Sequence, residues 1–407
     1  MVMDTLHRRR LYLYLAASFA AGILTAIGFR EILSFPRSSR SHVHVATDRA
    51  APKSHRSSEG EEDDGEEEGR PDIKEGIEGC IGDTPLLRIK SLSDATGCEI
   101  LAKAEFLNGA GGSTKDRVAL NIINTAERQG LLTPHSGDTI YEGTVGSTGI
   151  SLAAICRARG YLAHICMPSD QSTEKSDLLL KLGAEVERVL PAPIADRNQF
   201  VNLARLRASE HTLDPARPGV GFFADQFENH ANWLAHYHGT GPEIYRQTGG
   251  RRLDAFVAGA GTGGTISGVA LFLKPRLPAL RVVLADPAGS GLYNRIRFGV
   301  MFDPVERDGT RRRHQVDSLV EGIGINRVTA NLEAGRHLID DAVRVSDAQA
   351  MAMARWLAEK DGIFLGPAHT VITVLCDSGT RHLSKFWAAA AAVPPPVDLA
   401  AILDPPA

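Results

Sequence analysis

The chain has 407 residues, of which 43% are hydrophobic and 23% are charged, and its formal net charge is -4. These values are typical of a soluble globular protein with up to two domains and a sizeable core. The near-neutral charge argues against a nucleic-acid-binding protein. The five cysteines are scattered without a Cys-x-x-Cys pair. This argues against a disulfide framework or a zinc site and favours a reducing compartment.

The N-terminal segment contains a long apolar run. Residues 11–29, LYLYLAASFAAGILTAIGF, carry no charge over 19 positions, close to the roughly 20 that span a bilayer. Arginines precede and follow the run, so they do not settle its orientation. We predict a single-pass membrane anchor within residues 1–35. A cleaved signal peptide and a transit peptide are the alternatives.

An acidic segment follows the apolar run. Residues 57–70, SSEGEEDDGEEEGR, are dominated by like charges and cannot bury a core. We therefore predict a disordered acidic linker over residues 36–71. A docking tail for a basic partner is the alternative.

From residue 72 onwards, short apolar strands alternate with helical patterns. Strands are predicted at 139–141, 161–166, 185–190, 221–224, 255–259 and 282–285, and helices at 150–159, 176–182, 200–208, 231–247, from 265 and at 347–359. This alternation predicts an α/β fold with two doubly wound parallel-sheet lobes. We predict a catalytic domain over 72–390, with a smaller lobe at about 112–225 and a larger lobe at about 72–111 plus 226–390. Residues 391–407 form a C-terminal tail.

The segment GIFLGPAHTVITVLCDSG, residues 362–379, does not fit this alternation. It predicts two strands, at 363–365 and 371–375, with only five residues between them. Neighbouring parallel strands need a crossover of about a dozen residues or more. The segment is therefore either a hairpin or a crossover that lacks its helix.

The segment VAGAGTGGTISG, residues 257–268, follows a predicted strand and opens a predicted helix. The backbone N–H groups of such a turn, together with the helix dipole, bind phosphate. Gly259, Gly261 and Gly264 also fit the dinucleotide-binding pattern, with Asp286 placed to hold a ribose hydroxyl at the end of the next strand. An NAD-dependent oxidoreductase is therefore an alternative, and a plain tight turn is the simplest explanation.

The segment NGAGGSTKDRVAL, residues 108–120, places Lys115 at the start of an amphipathic helix. In isolation such a lysine is usually a solvated charge near a helix end. The glycines and hydroxyl groups before it form a backbone nest, in which a desolvated amine can form a Schiff base. The segment is not a Walker A loop, because no glycine immediately precedes the lysine.

A third strand–turn–helix segment is EGTVGSTGISLA, residues 142–153. Its hydroxyl groups and the N–H groups at the helix start suit a carboxylate. Together the three segments predict one site for an anionic ligand, with a lysine in it. We interpret His236 and His238 as packing or surface residues, and no metal-ligand spacing stands out, so no metal site is predicted.

Several further motifs occur between IGDTPLLRI at 81–89 and LCDSGTRHLSKFW at 375–387. They are GGSTKDR, GSTGISLA, MPSDQSTEKSDLLLKLGA, DQFENHANW, TGPEI and GTGGTISG. In this order they resemble the cysteine synthase family of fold-type II pyridoxal phosphate enzymes, which share the tryptophan synthase β-subunit fold. The overall pattern is most similar to the membrane-anchored cysteine-synthase-like proteins of fungi.

The resemblance implies pyridoxal 5'-phosphate as the cofactor, with Lys115 binding it covalently and then moving the Cα proton. It implies that the cofactor phosphate is held by Gly261, Thr262, Gly263, Gly264 and Thr265. The residues implied for the substrate carboxylate are Thr144, Gly146, Ser147, Thr148 and Gln226. The implied reaction is β-replacement, in which an O-activated serine loses its leaving group and sulfide takes its place to form cysteine. A homodimer and a mitochondrial outer-membrane address facing the cytosol are further expectations.

Two features depart from the family pattern. Ser147 stands where the family usually has an asparagine that touches the phenolic oxygen of the cofactor. Gly366 joins Pro367 directly, where the family has a serine-rich turn, whose hydroxyl bonds the pyridine nitrogen, and a helix of roughly 15 to 20 residues in this segment. A catalytically impaired relative is therefore a further alternative. The motifs also leave the substrate open among serine, O-acetylserine, cysteine and cystathionine-forming chemistry.

Overall fold

The computed structural model describes residues 73–192, 194–303, 318–364, 373–393, 396 and 398–403. The predicted anchor and acidic linker, within residues 1–71, lie outside the described residues. Among the described helices, none combines the length and the apolar character that crossing a bilayer requires.

The described strands form three sheets. In chain order they are β1 (Leu86–Arg88), β2 (Leu101–Lys103), β3 (Thr139–Gly143), β4 (Leu162–Pro168), β5 (Glu185–Val189), β6 (Gly221–Phe223), β7 (Ala255–Ala258), β8 (Arg281–Pro287), β9 (Asp341–Val345) and β10 (Thr373–Val374). The sheet orders are β1-β2-β10, β5-β4-β3-β6 and β7-β8-β9. All pairs are parallel except β1 with β2. The predicted α/β fold with parallel sheets is confirmed.

The described α-helices connect and cover these strands. In chain order they are α1 (Lys90–Thr96), α2 (Thr114–Arg128), α3 (Ser147–Arg159), α4 (Thr173–Lys181), α5 (Phe200–Leu213), α6 (Ala231–Ala235), α7 (Gly241–Gln247), α8 (Gly264–Leu273), α9 (Leu292–Phe298), α10 (Ala330–Gly335), α11 (Asp347–Asp361), α12 (Ala388–Ala391) and α13 (Leu399–Leu403). Short 3₁₀ turns occur at Ile77–Cys80, Glu105–Leu107, Arg336–Leu338 and Gly379–Arg381.

The four-stranded sheet lies within residues 139–223, inside the segment predicted as the smaller lobe. Its core is built from β-branched and leucine side chains on β3, β4 and the covering helices. Ile140, Ile155, Ile165, Ile122 and Leu179 are completely buried there. Gly160 ends α3 in a left-handed conformation.

The two three-stranded sheets lie next to each other, because β10 packs beside β7. Val257, Val283 and Val343 of the β7-β8-β9 sheet share one buried cluster with residues of α11. The opposite face packs on α8 through residues such as Ile266 and Val269. Helix α11 begins at a capping box, in which Ser346 and Gln349 bond each other's backbone N–H groups.

Two predictions near the C-terminus have different outcomes. The strand predicted at 363–365 is wrong for Ile363 and Phe364, which form no strand, and residues 365–372 lie outside the described part of the chain. Phe364 instead stacks on Trp387, with ring centroids 4.3 Å apart. The strand predicted at 371–375 is confirmed at Thr373–Val374, which pairs with β2 in parallel.

The predicted tail contains α13, whose Ile402 is completely buried in the cluster that includes α11.

The helix predicted at 231–247 is continuous but not uniform. A turn of π-helix, His236–Thr240, separates α6 from α7. A π-turn inserts extra backbone into an α-helix and changes which side chains face each direction before and after it. It therefore sets the direction of His236 and of Glu243, which both point into the site described next.

Candidate active site

Helix α2 carries Lys115 in its first turn. The side chain of Ser113 caps the helix by accepting from the backbone N–H of Lys115, at 3.2 Å. The backbone N–H of Thr114 donates to the carbonyl oxygen of Cys376, at 3.2 Å, and Ser113 bridges to Asp377. The Nζ atom of Lys115 lies 3.2 Å from Thr114 Oγ1. The chain that follows β10 therefore holds the helix start from which the lysine projects.

Asp116 joins this helix to the glycine loop before it and to α3. Its carboxylate accepts from the N–H groups of Gly111 and Gly112, each at 2.8 Å. It also accepts from the hydroxyl of Ser151, at 2.5 Å. Because Ser151 lies on α3, the lysine segment and the predicted carboxylate loop are fixed against each other.

A network of buried charges lies behind the same helix. Arg117 donates to Glu105 at 2.7 and 2.8 Å and to Glu243 at 2.6 and 2.8 Å, and Lys103 lies 2.5 Å from Glu243. All four side chains are at most 8% exposed. Burial raises the pKa of Glu243, but Arg117 and Lys103 outweigh it and lower that pKa to about 2. The network pairs two basic side chains with two carboxylates and ties α2 to β2 and α7.

The predicted carboxylate loop lies at the start of α3. No side chain of the described residues caps this helix start, and no acidic residue lies in its first turn. Gly146 N–H donates to Thr144 Oγ1 at 3.2 Å, which orders the loop before the helix. The free N–H groups and the positive end of the helix dipole suit an anion.

Gln226 connects the carboxylate loop to a buried acid. Its Oε1 accepts from the Thr148 hydroxyl at 2.6 Å, and its Nε2 donates to Glu142 at 3.1 Å and to the carbonyl of Gly143 at 3.3 Å. Burial raises the pKa of Glu142 to about 8, although hydrogen bonds from Gln226 oppose the shift. In this arrangement the side chain of Gln226 orients Thr148.

The predicted phosphate loop leads into α8. The N-cap residue Gly263 has no side chain to cap this helix, and the Gly264 N–H makes only a 3.4 Å bond to Thr262 Oγ1. The other N–H groups of the first turn are available to an anion. Asn232 packs under the loop and donates to Thr262 Oγ1 at 2.9 Å. A Cβ atom on Gly264 would lie 1.9 Å from Asn232 Oδ1, so this position requires glycine. Thr329 also holds the loop, by donating to the carbonyl of Thr262 at 2.6 Å.

His236 contacts the same loop from the π-turn. Its Nε2 lies 3.2 Å from Thr265 Oγ1 and its Nδ1 lies 2.9 Å from Thr240 Oγ1. Burial lowers the pKa of His236 to about 3, with a further lowering contribution from the charge of Lys115. The interpretation of His236 as a packing residue was incomplete, because the neutral ring orients a hydroxyl predicted to bind phosphate. His238 is exposed, as expected.

The two loops are linked through the backbone of Gln226. Asn232 and Asn331 both donate to its carbonyl oxygen, at 2.7 and 3.0 Å. The path from Thr148 through Gln226 and Asn232 reaches Thr262 in the phosphate loop. The structure therefore brings the predicted carboxylate and phosphate loops into one hydrogen-bonded site, and α2 packs on both α3 and α6.

Comparison with known proteins agrees with this geometry. Residues 77–378 match the family model described as "Pyridoxal-phosphate dependent enzyme". The protein named cysteine synthase 2 of Emericella nidulans is 61% identical over 426 aligned positions, covering 95% of this chain and 96% of the relative. That of Neurospora crassa is 58% identical over 415 positions, covering 92% and 90%. The chain belongs to the cysteine synthase family of pyridoxal-phosphate dependent enzymes.

Two further relatives extend the comparison for this family member. A Saccharomyces cerevisiae cysteine synthase relative, which carries the word mitochondrial in its name, is 52% identical over 355 positions, covering 82% of this chain and 89% of the relative. The crystal structure of O-ureido-L-serine synthase is 32% identical with a TM-score of 0.66, covering 82% of this chain and all of that one.

The 426 positions aligned with the Emericella nidulans protein exceed the 407 residues of this chain. That relative therefore carries residues that this family member lacks.

The residues present fit the cofactor of the family. The uncapped start of α8, with its glycines and hydroxyl groups, suits a phosphate ester. Lys115 supplies an amine on a helix joined by Asp116 and Ser151 to α3, whose start suits a carboxylate. Pyridoxal phosphate needs these groups, an amine and an anion cradle, within one site.

The oxidoreductase alternative has no support from the comparisons, and the Asp286 carboxylate bonds the start of a helix. Its carboxylate is fully buried and accepts from the backbone N–H of Tyr293 at 2.7 Å in the first turn of α9. Burial raises the pKa of Asp286 to about 7. A buried carboxylate used at a helix start does not present oxygens to a ribose on the protein surface.

One cluster in the described part of the chain combines potential metal ligands. The ligand atoms of His164, Cys166 and Glu187 lie within 4.8 Å of one another on β4 and β5. Arg207 donates to Glu187 at 2.8 and 3.0 Å, and His164 Nε2 lies 3.2 Å from the same carboxylate. We interpret this cluster as an ion-pair network, because the arginine already neutralises the carboxylate.

Proposed function

We propose that the chain catalyses β-replacement on an O-activated serine, with sulfide as the nucleophile and cysteine as the product. The observation that supports it best is the hydrogen-bonded path from Thr148 through Gln226 and Asn232 to Thr262. This path links the loop proposed for the carboxylate to the loop proposed for the phosphate, next to the helix that carries Lys115. A small amino acid and a phosphorylated cofactor carry the negative charges that these two loops suit.

Each group has a defined role in the proposed reaction. Pyridoxal phosphate, when bound, supplies the electron sink that stabilises charge at the substrate Cα. Lys115 Nζ binds the cofactor and takes and returns the Cα proton. The cofactor phosphate is held by the N–H groups and hydroxyls of one loop. The loop consists of Gly261, Thr262, Gly263, Gly264 and Thr265. The loop formed by Thr144, Gly146, Ser147 and Thr148 holds the substrate carboxylate and so orients the Cα–H bond toward the lysine.

Ser147 stands in this loop at the position where the family pattern has an asparagine. Its position at the first residue of α3 places its backbone N–H among the free donors of the helix start. The backbone contribution to anion binding therefore does not depend on this side chain. The shorter side chain changes the contact to the cofactor's phenolic oxygen, so we propose an effect on the cofactor's absorbance and on substrate range.

The decisive experiment uses full-length protein in detergent, loaded with pyridoxal phosphate. O-acetylserine and sulfide should yield cysteine, with serine as a second donor in a parallel reaction. The protein should show a visible absorbance band that borohydride abolishes, with the label on Lys115. Lys115→Ala should lose both the band and turnover, and Lys90→Ala, at a lysine side chain 78% exposed, should lose neither. A colourless protein that retains NAD would contradict the proposal.

We further propose that residues 11–29 anchor the protein in the mitochondrial outer membrane with the catalytic part in the cytosol. The uncharged 19-residue run supports an anchor, and the name of the Saccharomyces cerevisiae relative supports a mitochondrial address. Deleting residues 1–35 should release soluble protein. Full-length protein that leaves the membrane fraction after a carbonate wash would exclude an integral anchor. The lobe boundaries and the homodimer stay predictions, and light scattering on the deletion variant tests the latter.

A further inference from the structure

Lys175 lies over the start of the carboxylate loop. It belongs to α4, is only 7% exposed, and its side chain runs along the backbone of Gly146. A Cβ atom on Gly146 would lie 2.9 Å from Lys175 Cδ and 3.6 Å from Lys175 Nζ. The glycine therefore lets the ammonium group approach the loop closely. This ammonium is a second source of positive charge beside the N–H groups at the start of α3.

In the structure Lys175 pairs with Glu321, which comes from a distant part of the chain. The two side chains form a salt bridge and are 8% and 18% exposed. Glu321 precedes Gly324, whose N–H donates at 2.8 Å to the carbonyl of Ala260, just before the phosphate loop. The Lys175–Glu321 pair therefore spans from the carboxylate loop to the segment that lies against the phosphate loop.

Glu321 also has a second cationic partner. His382 Nδ1 lies 3.4 Å from Glu321 Oε2, and His382 Nε2 lies 3.1 Å from Asp377 Oδ2. Burial lowers the pKa of His382, but Asp377 and Glu321 outweigh it and raise that pKa to about 9. The imidazole is therefore charged at neutral pH. If Lys175 moved away, Glu321 would keep a charged partner.

We propose that Lys175 binds the carboxylate of the amino-acid substrate and releases Glu321 when it does so. Glu321 is then an internal competitor, which occupies the lysine while the site is empty. The exchange is favourable because no buried charge loses its partner: Lys175 passes from one carboxylate to another, and His382 stays with Glu321. The inference rests on the proposed function in one respect, that the loop at Gly146 receives an amino-acid carboxylate.

The test measures the Kd of L-cysteine by calorimetry on the pyridoxal-phosphate-loaded full-length protein. Lys175→Met should weaken binding by about tenfold, since it removes a charge-assisted contact to the ligand. Glu321→Gln should tighten binding by about threefold or more, since it removes the competitor. Lys181→Met, at an exposed lysine on the same helix, should leave the Kd unchanged. With cysteinamide, which lacks the carboxylate, the differences between variants should disappear.

Opposite changes in the Kd of L-cysteine in the two variants distinguish this role of Lys175 from a purely structural one. A salt bridge that only holds the two segments together would give weaker binding in both variants, and that result would overturn the proposal. An unchanged Kd in Lys175→Met would overturn it too. If Lys175→Met fails to fold because Glu321 loses a partner, the double variant Lys175→Met/Glu321→Gln removes both charges. It should bind L-cysteine about tenfold more weakly than Glu321→Gln alone, and equal binding would contradict the proposal.

Turnover is measured in parallel so that the two proposals can fail separately. Wild-type protein that makes no cysteine, but shows the opposite Kd shifts, would overturn the proposed reaction and support the role of Lys175. Wild-type protein that makes cysteine, with both variants weakened alike, would support the reaction and overturn the role of Lys175.

Discussion

The side-chain amide of Gln226 donates to a carboxylate oxygen of Glu142 at 3.1 Å, and both residues are buried. The pKa of Glu142 is raised to about 8, from the 4.5 of an exposed glutamate. Between these two values the unfolded chain has lost its proton at this residue while the folded chain retains it. The contribution of Glu142 to stability is therefore present below about pH 4.5 and is lost as the pH rises toward 8.

The first prediction concerns this pH dependence. Glu142→Gln removes the titration, so its free energy of unfolding should fall less between about pH 5 and pH 8 than that of the wild type. Urea denaturation at several pH values measures the difference, whatever the absolute stability of the variant. Glu99→Gln, at an exposed glutamate, is the matched control and should follow the wild type. Parallel curves for wild type and Glu142→Gln would contradict the raised pKa.

The second prediction concerns the buried charges behind α2. Arg117→Met leaves Glu105 and Glu243 without their main partner, and breaking such a buried pair costs about 3–5 kcal/mol. Chemical denaturation of the cofactor-loaded protein measures the loss. Arg205→Met removes an ion pair from a side chain 55% exposed and should cost at most about 1 kcal/mol. Equal, small losses in the two variants would mean that the buried network contributes little to folding.

The third prediction concerns His236. His236→Leu keeps most of the volume but removes the contact to Thr265, so pyridoxal phosphate should bind about three- to tenfold more weakly. Because the pKa of His236 is about 3, the wild-type ring is neutral across the neutral range. The effect should therefore not change between about pH 6 and pH 8. Equilibrium dialysis measures it, and His238→Leu on the exposed neighbour is the control.

The fourth prediction concerns the short connection at Gly366. We expect that a family-like serine-rich turn and helix, inserted after Gly366, raises both the melting temperature and the affinity for pyridoxal phosphate. The family pattern has a crossover helix there, and the five residues 366–370 are too few to form one. Burying the face that a helix covers contributes about 25 cal/mol per Å². A flexible Gly/Ser insertion of equal length is the control and should restore neither property.

The fourth prediction would be contradicted if the protein without the insertion showed full turnover and the same melting temperature as the variant with it. The hydroxyl of Ser378 is a weak substitute for the missing serine-rich turn. It accepts from the backbone N–H of Thr380 at 3.3 Å and so caps the turn that follows. It would have to leave this role to reach a cofactor.

Local patterns in the sequence predicted much of the fold. Strands such as β3 and helices such as α3 have a clear apolar pattern and end at glycines like Gly160, so their positions agree with the prediction within a few residues. The capping box of Ser346 and Gln349 is likewise local. The strands β1, β2 and β9 were not predicted. The first two have only three residues each, too few for a periodic signal, and depend on pairing with distant chain.

The site was predicted only as far as its motifs reach. Lys115 and the glycine-rich loops stand out locally because their chemistry needs an unusual run of residues. Asn232 and Thr329 bond the phosphate loop from distant positions, and Asn331 bonds the carbonyl of Gln226. No local pattern marks such contacts. Only the occurrence of Asn232 in the motif DQFENHANW was a usable signal. The pair of Lys175 with Glu321 joins residues 146 positions apart, so spacing alone could not find it.

The π-turn at His236–Thr240 changes the direction in which side chains point along one continuous helix. An α-helix rotates by roughly 100° per residue, so the extra backbone of a π-turn shifts the angular phase of everything that follows. Before the turn, Asn232 points to the phosphate loop, and after the turn, Glu243 points to Arg117. Losing one residue from the turn would leave both helices intact while pointing one of these two side chains away from its partner. The number of residues in this turn therefore fixes how Asn232 and Glu243 are aligned with their respective partners.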